Sequence, residues 1–254
     1  MTFHTHGFTD TGCVRSENQD RIALLDALGC FAVLDGMGGQ RCGDVAAEIA
    51  LTVFRNYIES SRDPGEVTWP FGYNVGLSLD ANRLLTSIRL ANRQVSRRAD
   101  QDLKCAGMGT TVAAVVSRGD RLAIANVGDS RIYRLRAAHL EPLSVDDTMA
   151  ALMVNKGVIA LENVPAHPMR GVLMQAIGLH GEVDVHLREE TVLGGDLILL
   201  CSDGLYGAVD APTIAAVLGG AGPLEVRMKD LLGLALHAGA SDNVSAIAIE
   251  YIAD

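Results

Sequence analysis

Between Thr110 and Leu135 the chain reads TTVAAVVSRGDRLAIANVGDSRIYRL. Three short runs rich in β-branched residues, Thr110–Ser117, Leu122–Val127 and Arg131–Leu135, are separated by Arg118-Gly119-Asp120 and Gly128-Asp129-Ser130. β-Branched side chains fit a pleated surface, and the glycine-bearing triplets punctuate it as turns. A parallel crossover needs a dozen or more residues, so strands joined this closely are expected to be antiparallel, with each triplet a tight turn. On either side of this stretch, Phe31–Leu34, Leu197–Leu200 and Val244–Ile252 read as further strands. Apolar residues recur at helical spacing from Asp44 to about Ile58, with Gly43-Asp44 as the start. Further helical patterns cover about Leu79–Ala99, Thr213–Leu218 and Leu224–Ala238. Glu59–Gly76, with Pro64, Gly65, Pro70 and Gly72, reads as a loop. Antiparallel strands in the centre and helices towards the ends predict an α+β fold of sheets covered by helices, not a doubly wound parallel sheet.

The 254 residues show no repeat, low-complexity tract or linker, so one domain over 1–254 is expected. Apolar residues make up 48% and charged residues 20%, the balance of a globular chain able to bury a core. A formal net charge of −10 argues against nucleic acid or an anionic membrane as partner of the whole molecule. No apolar run approaches the roughly 20 residues that span a bilayer, and MTFHTHGFTDTG lacks the pattern of a secretory leader. His4 and His6 are expected to lie in a flexible terminus rather than a metal-binding tail. The five cysteines are odd in number, scattered and never in a CxxC pair, which predicts free thiols and a cytoplasmic location.

The aspartates carry the chemistry. Asp35 follows FAVL, Asp129 follows LAIANVG, Asp203 follows LILLCS, and Asp242 precedes NVSAIAIEYI. Each stands where a buried strand meets a loop, held by a rigid element yet within reach of solvent. Any one of them alone reads as a turn residue. Four brought to one edge would repel each other, and a hard cation relieves that repulsion. Oxygen-only donors favour magnesium, manganese or calcium over zinc or copper.

The segment Thr9-Asp10-Thr11-Gly12-Cys13-Val14-Arg15-Ser16-Glu17-Asn18-Gln19-Asp20 closely resembles the opening motif of the metal-dependent protein phosphatases (the PPM family, type 2C), in particular its bacterial branch. Asp35-Gly36-Met37-Gly38-Gly39 resembles the second motif, and Gly107–Thr111 with Val127-Gly128-Asp129-Ser130-Arg131 the middle ones. Ser202-Asp203-Gly204 and Ser241-Asp242-Asn243 complete the set in order, so the likeness runs from about Gly7 to Tyr251. It implies an α-β-β-α sandwich and hydrolysis of phosphoserine and phosphothreonine in proteins by a water bridging two divalent ions. It further implies that Asp35 bridges two Mn2+ or Mg2+ ions with the Gly36 carbonyl as a further ligand. Asp203 and Asp242 would complete one ion, Asp20 would hold the other, directly or through water, and Asp129 a third, looser one. Arg15 would grip the substrate phosphate with its planar fork. Asn243 would either touch the site or shape the turn that aims Asp242. None of the cysteines sits in a CxxxxxR loop, which argues against a cysteine-based phosphatase.

The sequence departs from the family at several positions. Gln19 stands where many relatives have glutamate and offers oxygen without charge, so one ion is expected to be held less tightly. Met37 and Gln40 stand where relatives have histidines, which leaves the proton donor to the leaving alkoxide unnamed; a metal-held water is the first candidate and His167 the second. Ser144–Gly178 resembles the bacterial flap, with Asp147 where the family usually has histidine. The expected partners are phosphoproteins, those of a cognate serine/threonine kinase, acted on by a monomer. Two alternatives remain: a pseudophosphatase that keeps the fold as a binding module, and a dedicated regulator of one phosphoprotein.

Overall fold

The computed structural model describes residues 1–38, 42–62, 67–179 and 181–252. Gly39, Gln40, Pro64 and Gly65, on which the sequence reading drew, lie outside them. In chain order the first elements are β1 (Phe3–Asp10), β2 (Arg21–Leu25), β3 (Cys30–Leu34), β4 (Gly36–Met37), α1 (Gly43–Ser60) and α2 (Leu79–Gln101). The middle of the chain supplies β5 (Gly109–Thr110), β6 (Val112–Arg118), β7 (Arg121–Val127), β8 (Arg131–Arg136), β9 (His139–Pro142) and α3 (Met149–Asn155). The last part supplies β10 (His186–Thr191), β11 (Leu197–Cys201), α4 (Asp203–Ala208), α5 (Ala211–Leu218), α6 (Leu224–His237) and β12 (Val244–Tyr251).

Two five-stranded antiparallel sheets, ordered β1-β12-β11-β8-β9 and β10-β7-β6-β3-β2, stack face to face. The central strands are apolar throughout because both of their faces are covered. Along β3, Cys30, Ala32 and Leu34 face the core under α1 and α2, while Phe31 and Val33 face the core between the sheets. Along β11 the same alternation sends Leu197, Leu199 and Cys201 towards α4, α5 and α6, and Ile198 and Leu200 inward. The result is the expected α-β-β-α sandwich.

The β6–β7 hairpin forms as the sequence predicts, from Val112↔Val127 to Arg118↔Arg121. The next turn does not. β7 and β8 lie in different sheets, so Gly128-Asp129-Ser130 carries the chain across the sandwich and is no hairpin. Gly128 makes this crossing at φ +93°, and a Cβ there would stand 2.7 Å from the Thr111 side chain. A strand buried on both faces has no polar edge to its period, so sequence alone could not say which sheet comes next.

Three other expectations need correction. The first strand of the opening run begins at Val112, because Gly109–Thr110 pairs separately with Gly36–Met37. His4 and His6 are not in a loose terminus; they sit in β1 opposite Glu250 and Ala248 of β12. Cys42 and Cys105 are not free thiols but a disulfide, their Cα atoms 5.4 Å apart. Folding brings together the residue before α1 and the short turn after α2, 63 residues apart in sequence, a proximity no local pattern reveals. Cys13, Cys30 and Cys201 remain thiols. Among the described residues no helix is long and apolar enough to cross a membrane.

Candidate metal centre

The antiparallel registers put the acids at one end of the sandwich. Asp20 precedes β2 and Asp35 follows β3, ends brought together by the pair Arg21↔Leu34. Asp203 opens α4 just beyond β11, and Asp242 lies just before β12, ends joined by Cys201↔Ala246. Asp129 lies where the chain passes from β7 to β8, whose Arg131 pairs with Cys201. All five expected acids therefore meet at one mouth.

Asp35, Asp20 and Asp242 are held by specific neighbours. The Asp35 amide donates to Thr111 Oγ1 at 3.0 Å, and its carbonyl accepts from Thr110 Oγ1 at 2.9 Å. Thr111 Oγ1 in turn lies 2.7 Å from Ser130 Oγ, which links the two sides of the site. Ser202 Oγ donates to Asp20 Oδ2 at 2.8 Å, and Asn18 Oδ1 accepts from the Asp20 amide. Gly36 can only be glycine: a Cβ would fall 2.2 Å from the Gly43 carbonyl oxygen and 2.6 Å from that of Gln19. The Gln19 carboxamide oxygen itself lies against Gly43 at the start of α1, 2.5 Å from where a Cβ would stand. Asn243 shapes the turn. Its amide donates to Asp242 Oδ1, its Oδ1 accepts from the Gln19 amide, and its Nδ2 donates to the carbonyls of Thr11 and Glu17. One buried carboxamide thereby ties the opening motif to the loop of Asp242.

The electrostatics are those of carboxyls short of positive charge. Burial, then the charges of Asp20, Asp203, Asp129 and Asp242, holds the Asp35 carboxyl well above the usual range. Burial pushes Asp20 up to about 6 and Asp129 up to about 7. Asp203 is raised by burial and by Asp242. Asp20 Oδ1 and Asp203 Oδ1 are buried with no hydrogen-bond partner, as is Asp44 Oδ1 in the first turn of α1. Buried acceptors of this kind are costly unless something positive meets them. Among the described residues no three acidic, histidine or cysteine side chains enclose a single ion as they stand. Asp242 Oδ2 instead accepts from Arg15 Nη2 at 2.7 Å. By donor chemistry the set fits hard divalent cations: it is all oxygen, anionic and partly unpartnered.

Several of these residues escape a reading of motifs. Asp44 reads only as a helix start, and Ser202 only as the residue before Asp203. His186 carries no local signal at all, yet its Nε2 lies 2.7 Å from Asp147 Oδ1. Asp147 Oδ2 accepts from the Gly128 amide at 2.9 Å and from Gln175 Nε2 at 3.1 Å. The expected flap is thus fastened beside Asp129 by a carboxylate with a histidine behind it. Arg131 holds the same corner: it stacks on the Tyr206 ring at 3.8 Å and pairs with Asp146, while Tyr206 Oη donates to the Asp129 carbonyl. His167 only closes a turn, its Nδ1 accepting from the Met169 amide at 3.2 Å. Asp147→Ala leaves the buried Gly128 amide unpartnered, which costs about 1–3 kcal/mol. Faster hydrogen exchange over 145–148 and 172–178 in the metal-free protein is the expected result; unchanged exchange there would show that the flap is fastened elsewhere.

Fold and site together define a two-sheet protein with a carboxylate mouth for divalent cations. The chain matches the protein phosphatase 2C family over residues 14–221, and it belongs to that family. It is 32% identical over 244 residues to the serine/threonine protein phosphatase PstP of Mycobacterium tuberculosis, an alignment covering 96% of this chain and 44% of PstP. The chain therefore spans less than half the length of that relative. It is 30% identical over 254 residues to the serine/threonine phosphatase stp of Listeria welshimeri, covering 97% of this chain and 95% of that protein. The crystal structure of M. tuberculosis PstP superposes with a TM-score of 0.86 at 29% identity, over 99% of this chain and 100% of that one. The PstP catalytic domain in complex with two manganese ions gives 0.84 at 28% identity, over 98% of each chain.

Proposed function

We propose that the chain is a single catalytic domain that hydrolyses phosphoserine and phosphothreonine esters of proteins at this mouth, with two divalent cations. What supports the reading above all is that acids from five separate strand ends converge, that Asp20, Asp35, Asp129 and Asp203 among them have raised proton affinities, and that Asp20 and Asp203 keep unpartnered buried oxygens. Asp35 would serve both ions with the Gly36 carbonyl as a further ligand, Asp203 and Asp242 would complete one of them, and Asp20 would hold the other. When bound, such cations supply Lewis acidity and lower the pKa of a water towards about 7. The chain's own part is to orient the acids, shield them with the flap and hold the phosphate. Manganese is the favoured ion, given the bound metal in the PstP structure, and the phosphoproteins of a cognate kinase are the favoured substrates.

Hydrolysis of p-nitrophenyl phosphate and of a phosphothreonine peptide, with and without manganese, tests this directly. Turnover of neither under any divalent ion would leave the pseudophosphatase alternative standing.

Arg15 reaches the phosphate by exchanging partners. Its contact with Asp242 is half-exposed, and an exposed pair is worth about 0–1 kcal/mol, so a phosphate displaces it at little cost. Arg15→Ala should raise KM clearly and lower kcat less, and Arg15→Lys should recover only part because the bidentate fork is lost. Unchanged KM in both variants would remove Arg15 from the site.

Asp129 stands where the chain changes sheets, and we assign it to holding a third, looser cation, whose water would be the proton source for the leaving oxygen. A serine alkoxide needs that proton, whereas p-nitrophenolate does not. Asp129→Ala should therefore lose far more activity on phosphopeptides than on p-nitrophenyl phosphate. Equal losses on both would count against proton delivery.

A further inference from the structure

A chain of net charge −10 carries one face of opposite sign. Arg89, Arg93 and Arg97 recur every four residues on α2 and so share a face. Other arginines of the region are paired: Arg83 and Arg118 share Asp80, and Arg98 pairs with Asp102. Among the described residues, Arg89, Arg93 and Arg97 pair with no carboxylate; Asp100, exposed at the end of the same face, is the acid nearest them in sequence. Like charges four apart on a helix repel, so the repeat itself costs the fold stability. Arg89 and Arg93 converge on the Phe71 ring, their guanidinium carbons 5.9 and 5.7 Å from its centre. The ring thus draws both cations to one place on the surface, where an anionic side chain would meet them together. At the other end Arg97 lines an open cleft of about 330 Å3 together with Ile49 and Arg98. The face runs towards the metal centre, because α2 leads to Cys105, whose disulfide partner Cys42 immediately precedes α1.

We propose that this face docks an acidic segment of the phosphoprotein substrate, with carboxylates over Arg89, Arg93 and Arg97 and apolar parts on Phe71 and Ile49. The proposal rests on the phosphatase reading for the identity of the partner. The three arginines span about 12 Å along the helix, the length of roughly four extended residues. A short acidic stretch matches that length, whereas a long polyanion such as RNA would also meet the repulsion of the whole chain.

The test uses the full chain and two probes. A fluorescent oligoglutamate peptide reports binding by anisotropy without any need for turnover. A phosphothreonine peptide is assayed plain and with an oligoglutamate tail, placed on either side of the phosphosite through a glycine–serine linker. The tail is expected to raise kcat/KM about tenfold at low salt, through KM, with the gain lost at high salt. Reversal of the face in R89E/R93E/R97E should abolish both the anisotropy signal and the gain, while turnover of p-nitrophenyl phosphate stays at the wild-type rate. The milder R89Q/R93Q/R97Q, which keeps helix propensity, should lose most of the gain. No gain from either tail, a gain that survives both triple variants, or tighter binding of a single-stranded oligonucleotide than of oligoglutamate would overturn the proposal. Failure to hydrolyse p-nitrophenyl phosphate would instead overturn the phosphatase reading, and the anisotropy arm would still report on the surface.

Discussion

Asp35→Asn lowers kcat by on the order of 10³ or more, the scale of losing a major electrostatic group. Asp35 is the acid on which the charges of four others converge, so it sits at the centre of the negative field that cations would neutralise. The amide keeps the shape and one oxygen but gives up the charge. The same variant, stripped of metal, should be as stable as the wild type or more so, because a buried carboxyl pressed by Asp20, Asp203, Asp129 and Asp242 is replaced by a neutral group. The backbone clamp through Thr110 and Thr111 is untouched, so a folding defect is not expected. A variant that keeps a tenth of wild-type activity would sink the assignment of Asp35 as the shared ligand.

Removal of metal abolishes activity and reverses the pH dependence of stability. Asp20, Asp35, Asp129 and Asp203 all hold their protons more tightly in the metal-free fold than in the unfolded chain. Their contribution is therefore full below the unfolded carboxylate pKa and is lost as pH rises towards the raised values of about 6 and about 7. The chelated protein should weaken by on the order of a few kcal/mol between about pH 4 and pH 7, since a tenfold difference in proton affinity between folded and unfolded chain is worth about 1.4 kcal/mol. Asp80 and Asp196, whose pKa values are lowered in the fold, weaken the protein only at more acid pH. Bound cations favour the ionised acids and cancel the loss. Thermal unfolding in EDTA and in manganese should give a gap in Tm that widens as pH rises. A gap independent of pH, or full activity after exhaustive chelation, would contradict the two-ion reading.

Much of this was legible because it is local. The apolar runs of β3, β11 and β12 announce strands buried on both faces, and the spacing of apolar residues in α1 and α2 announces their helices. The positions of Asp35, Asp203 and Asp242 at strand ends could be read off directly, since a strand end is a local event. Asn243 could be suspected but not assigned, because its hydrogen bonds reach a segment more than 220 residues away. His186 could not be suspected at all: it meets Asp147 only through the pairing of β10 with β7.

Neighbouring residues settle among themselves which segments become strands and helices, the antiparallel sense of the β6–β7 hairpin, and the acids offered to a metal. Side-chain period, turn chemistry and the reach of a short loop are enough for those. Long-range packing alone sends the chain between sheets at Gly128-Asp129-Ser130, orders His4 and His6 in β1 against β12, and brings Cys42 to Cys105. Each depends on which buried face packs against which. Apolar burial is non-directional, so the choice between two equally apolar sheets rests on the whole set of contacts made at once.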